Sequence, residues 1–227
     1  MEKAMQTAHE ARGTRRGGEA GFSLIELMVG LGVTLVIMAV ASQLLAMSMF
    51  VRQRENQRSE AVADVQRALQ AMSREISNAG LGLSNNGLVA ADSDDVGIRI
   101  RSNLNAFCGV TSACDEDTGD PGEDVVYNLI NNTTGGGGDN QRLITRQDIN
   151  DENKVSALAN RIDSLSFEYV DGDGATTADA AEAQKVKITV TVTLPAVGTE
   201  GEPGYQPPSQ MQLASEALLR NALLLED

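Results

Sequence analysis

The chain has 227 residues, enough for one domain with an appendage, and a core of that size needs neither a metal nor a disulfide to hold it. Four Phe, three Tyr and no Trp exclude a stacking platform for bases or sugars, so the core must be built from Val, Ile, Leu, Ala and Met. The net charge of −14 is concentrated beyond residue 80, where 24 Asp/Glu face nine Lys/Arg, and such a domain repels phosphate backbones and is no nucleic-acid partner.

The first segment, MEKAMQTAHEARGTRRGGEAG, is polar and has no apolar stretch before Gly21. A secretory signal peptide places its small-residue cleavage site after the apolar region, and here the order is reversed. Arg12, Arg15 and Arg16 precede the apolar run, which by the positive-inside tendency puts residues 1–21 in the cytoplasm and the C-terminal part outside. Arg52 and Arg54 on the other flank weaken that asymmetry a little.

From Leu27 to Val51 the chain carries 25 residues without a charge. That is enough for a helix to cross a hydrocarbon core of roughly 30 Å. The bland alternative is a core helix. Gly30, Gly32, Ser42 and Gln43 make the span tolerant of close helix contacts. Beyond it, Val62, Val65, Leu69, Met72 and Ile76 recur at spacings of three and four, with charges largely on the other faces. Asn78-Ala79-Gly80 then ends the helix, so one helix is expected from near Phe22 to about Asn78.

After Gly80 the pattern changes to short β-type runs separated by Gly, Asn and Asp. The expected strands are Val96–Ile100, Val125–Ile130, Arg142–Thr145, Ile162–Val170, Val186–Leu194 and Met211–Leu219. Alternation is clearest in KVKITVTV, where Val186, Ile188, Val190 and Val192 share one face. SEALLRNALLL is compatible with a helix as well as a strand. A Gly-rich hairpin tip is expected over 131–140, and mobile stretches over 111–123, 171–184 and 195–208.

Cys108 and Cys114 lack C-x-x-C spacing, and in an exported domain they read as a local disulfide. Asp171-Gly172-Asp173-Gly174 offers two carboxylates in a Gly turn, which suits either a plain turn or a weak calcium site; the ligands that complete an EF-hand are missing. Asp115-Glu116-Asp117-Thr118-Gly119-Asp120 raises the same choice. The sole His, His9, lies in the leader, so the part beyond Gly21 holds no His-based triad or His metal site, and the chain reads as no enzyme with no cofactor beyond that calcium.

Gly21 followed by Phe22-Ser23-Leu24-Ile25-Glu26-Leu27 and an apolar helix resembles the cleavage and methylation segment of type IV prepilins, shared by major pilins, minor pilins and type II secretion pseudopilins. The resemblance implies that prepilin peptidase cuts between Gly21 and Phe22, that the new Phe22 amine is N-methylated, and that Glu26 pairs with the amine of a neighbouring subunit. Gly21, lacking a β-carbon, lets a peptidase approach the bond closely, and a carboxylate within an apolar span needs a partner unless it sits at headgroup level. SREISNAGLGL, VVYNLI with RLITR, IDSLSFEYVDGDG and LLRN are similar to PilW-type minor pilins and the related J-class pseudopilins.

The implied fold is α+β: a long N-terminal helix packed on an antiparallel sheet. Its implied divisions are a leader at 1–21, a membrane and assembly half of the helix at 22–51, an amphipathic half at 52–79 and a β head at 80–227. The implied role is a structural minor pilin priming a type IV pilus and located at its tip. Its implied partners are prepilin peptidase, other minor pilins, the major pilin and the inner-membrane assembly platform. It would sit in the inner membrane with its head in the periplasm, and later in the extracellular pilus. A pseudopilin, or a tip adhesin using the acidic loops, is the alternative. Major pilins usually carry a helix-kinking Pro at the position of Gln43, and its absence favours a minor subunit.

Overall fold

The computed structural model describes residues 21–105, 117–131 and 142–222. Its contacts divide the chain into two units, Met1–Ala46 and Met47–Asp227. One helix, α1, spans Leu24–Ser77, within two residues of the expected ends. Its sequence explains its length: Leu, Ala, Met, Glu, Gln and Arg are strong helix formers, and no Pro removes an N–H along the way. The last turn tightens, with Asn78 N–H donating to Glu75 O at 3.1 Å and Ala79 N–H to Ile76 O at 3.0 Å, before Gly80 turns the chain at φ +76°.

The two halves of α1 differ in what they touch. Apolar side chains from Phe22 to Val51 are largely exposed, and among the described residues this is the one helix long and apolar enough to cross a membrane. In the second half Val65, Ala68, Leu69, Met72 and Ile76 are buried, so the expected stripe is real. Val62 is only half-buried, and Ala68 joins the stripe because it lies between Val65 and Leu69 on the same face.

Among the described residues the strands form one antiparallel sheet. They are β1 (Gly97–Arg101), β2 (Asp124–Asn131), β3 (Arg142–Asp148), β4 (Lys154–Val170), β5 (Thr176–Thr177), β6 (Lys185–Leu194) and β7 (Ser209–Leu218). The order is β1-β2-β3-β4-β6-β7, with β5 paired to β4. Val186, Ile188, Val190, Val192 and Leu194 of β6 are all buried, as strict alternation requires. Val186, Ile188, Val190 and Val192 join the α1 stripe, Ile98, Val125, Tyr127, Ile144, Leu165 and others in one core. The architecture implied by the sequence resemblance, a long helix packed on an antiparallel sheet, is the one observed.

One expectation needed adjusting, and one open choice was decided. The fourth strand begins eight residues earlier than its apolar run, because Lys154–Asp148 through Arg142–Ile162 pairs β4 with β3 while Ile162–Val192 onward pairs it with β6. Ile162 is thus the hand-over point. The ladder slips there, and Arg161 adopts φ +58°. The run SEALLRNALLL is a strand as far as Leu218, where it pairs with Lys185 of β6.

Candidate functional site

The segment that the sequence singles out sits at the start of α1. Gly21 has nothing within 4 Å of the place a β-carbon would occupy, so no packing among the described residues explains a glycine there. Phe22 is 82% exposed. Ser23 O accepts from Leu27 N–H at 3.1 Å, which starts the helix and leaves Glu26 in its first turn, where a carboxylate complements the positive end of the helix dipole. Glu26 is exposed and makes no hydrogen bond or ion pair among the described residues. With exposed Ile25 and Leu27 on either side, the carboxylate is accessible to a cation.

Beyond the helix, several titratable groups pair with one another. Arg99 donates from Nε to Asp124 Oδ1 at 2.7 Å and from Nη1 to Asp92 Oδ2 at 2.6 Å, while Arg101 Nε reaches Asp124 Oδ2 at 3.0 Å. Asp124 opposes Arg101 across the β1–β2 ladder, and Arg99 lies two residues away on the same face, so one carboxylate serves both. Burial pushes the Asp124 carboxyl up, but the two guanidinium groups outweigh it and hold it below its ordinary value of 3.8. The bond to Asp124 raises Arg99 in turn.

A second cluster ties α1 to the sheet. Tyr127 donates its hydroxyl hydrogen to Glu75 Oε2 at 2.5 Å, and Arg146, its cross-strand neighbour, donates from Nε to the same carboxylate at 3.0 and 3.1 Å. Burial, reinforced by the Glu75 charge, pushes the Tyr127 hydroxyl up, so it stays protonated and donating. Arg146 is pulled down by burial, but Glu75 more than offsets this. Sequence reading missed both clusters. The alternation of Arg99 and Arg101 in GIRIR was a usable signal for the first; the second joins residues 52 and 71 positions apart and has none.

The other singled-out residues divide. Asp171 Oδ1 accepts from Asp173 N–H at 3.0 Å and Ala175 N–H at 2.8 Å, so that oxygen closes its own turn. Among the described residues no three His, Cys, Asp or Glu converge as metal ligands. Cys108, Cys114, Asp115 and Glu116 lie outside the described residues, as do residues 1–20.

Comparison with known proteins meets this geometry at its N terminus. The family model described as the prokaryotic N-terminal methylation motif matches residues 16–42, a stretch that contains Gly21, Phe22 and Glu26. No curated protein matches the chain. Among solved structures, the chain is similar to a type IV-like pilin from Thermus thermophilus, with a TM-score of 0.44 and 10% identity over 71% of this chain and 96% of that one. The chain thus carries a prepilin-type methylation motif leading into an exposed apolar helix suited to membrane anchoring.

Proposed function

We propose that this protein is a minor pilin of a type IV pilus, a non-enzymatic subunit that primes filament assembly and sits at the tip. The observation that carries the reading is Glu26: unpaired among the described residues, within the methylation motif, at the head of an apolar helix whose side chains are largely exposed as far as Ala46. Prepilin peptidase cuts after Gly21, the Phe22 amine is methylated, and the Glu26 carboxylate of one subunit pairs with the Phe22 amine of the next. Low dielectric among packed apolar helices strengthens that pair and makes an unpaired partner costly.

The first half of the helix anchors the precursor in the inner membrane, with the acidic head in the periplasm. Other minor pilins, the major pilin and the inner-membrane platform are its partners. The span carries no Pro, and a straight helix suits a low-abundance priming subunit. Deleting the gene should strip cells of surface pili while the major pilin accumulates in the membrane. Normal piliation would refute the proposal, and a block in release of folded exoproteins with pili intact would assign the chain to a type II secretion pseudopilus instead.

A further inference from the structure

The connection between β6 and β7, residues 195–208, is folded against the helix. Glu202 N–H donates to Thr199 O at 3.0 Å and Tyr205 N–H to Glu202 O at 3.2 Å, closing two consecutive turns with Gly201 at φ +86° and Gly204 at φ +89°. Val197 and Gln206 exchange both backbone hydrogen bonds at 2.9 Å, which narrows the loop at its base. Arg54 fastens both ends: its guanidinium donates to Pro195 O and Pro207 O, and to Ser209 Oγ at 2.9 Å.

The far end of the loop lies on the last turns of the charge-free run. A β-carbon on Gly204 would stand 3.0 Å from both Met47 Cα and a ring carbon of Phe50, and one on Gly198 would stand 3.7 Å from the Phe50 ring. Met47 and Phe50 are accordingly half-buried, unlike the residues before them. Glu200 and Glu202 stand exposed on the same loop.

Irregular backbone exposed to lipid does not occur within the hydrocarbon layer, and two carboxylates add a cost of several kcal/mol. The helix from Met47 to Arg54, which carries this loop, therefore belongs outside that layer. We propose that Arg54 and residues 195–208 form a collar that rests on the lipid headgroups and ends the membrane span at Ala46, rather than at Val51 where the charges resume. The remaining helix, Leu24 to Ala46, is about 35 Å long at 1.5 Å per residue and still crosses the core. The inference rests on the reading that this helix spans a membrane.

Single cysteines placed at Val33, Val40, Met49 and Ser59 of the full chain, reconstituted in vesicles of phosphatidylethanolamine and phosphatidylglycerol, test it with a membrane-impermeant maleimide. Labelling is read by mass on the peptide that carries the new thiol, so Cys108 and Cys114 do not contribute. Met49→Cys should react within about twofold of Ser59→Cys, and Val40→Cys more than about tenfold slower, because hydrocarbon excludes the reagent. Protection of Met49→Cys to the level of Val40→Cys would overturn the collar. Reaction of Val33→Cys and Val40→Cys as fast as Ser59→Cys would instead overturn the span itself. Adding Arg54→Ala or Gly204→Val should free the loop and slow Met49→Cys labelling several-fold as the helix sinks; unchanged rates in both would overturn the collar as the cause of the boundary.

Discussion

A single carboxylate near the start of α1 and another in the sheet show opposite ways of managing charge. Glu26 has no partner among the described residues, and on the proposed reading it pairs with the Phe22 amine of another subunit. Glu26→Val should leave peptidase cleavage intact and reduce recovery of the protein in sheared pili by at least about tenfold, the effect of losing roughly 1.4 kcal/mol of pairing. Gly21→Ala should act one step earlier and leave uncleaved precursor in the membrane, read by mass spectrometry of the N terminus. Asp124, by contrast, is fully partnered by Arg99 and Arg101. Its carboxyl is held below 3.8, so it stabilises the head at pH above that value, and the contribution disappears as pH falls through the lower folded-state value. Urea melts of wild type and Asp124→Asn should therefore differ most at neutral pH and converge as the pH falls below 3.8 and through the lower folded-state value.

At the scale of the element, α1 is one helix with two physical characters. Met72 is fully buried within the stripe, and Met72→Ala should cost about 2–5 kcal/mol of head stability in detergent-solubilised full chain. Leu35→Ala, at a side chain 58% exposed, should leave that transition in place. The helix end depends on glycine for a steric reason. Gly87 sits at φ +77°, and a β-carbon on it would lie 1.9 Å from Gly80 N and 2.5 Å from Arg101 O. Gly87→Ala should therefore cost more than the roughly 1–2 kcal/mol of left-handed backbone alone, because Gly80 N–H would also be pushed off Arg101 O. Asn86 next to it donates to the carbonyls of Ala180, Ala181 and Ala183, which fixes the 171–184 connection to the turn after α1.

For the whole molecule, the acidic excess beyond residue 80 is the dominant field. Like charges repel in the compact state, while the internal pairs of Asp124 and Glu75 are partly shielded from salt. Raising salt from about 10 mM to about 150 mM should therefore raise the melting temperature of the head, since the Debye length shrinks from roughly 30 Å to 8 Å. A fall on adding salt would mean that surface pairs such as Lys154–Asp151 outweigh the repulsion.

The sequence by itself determined what local periodicity can encode. The order of the methylation segment, the uncharged run and the Val65–Ile76 stripe set one long helix with a free half and a docked half, and alternation set the buried face of β6. Its candidate site was legible for the same reason, since Gly21, Phe22 and Glu26 are contiguous in the chain. Only the tertiary structure decided the pairing of β4 with two different neighbours, the Glu75–Tyr127–Arg146 tie, and the fastening of residues 195–208 to Arg54. Each joins residues distant in sequence, and such contacts form only after the core has brought the backbone together, so no spacing along the chain announces them.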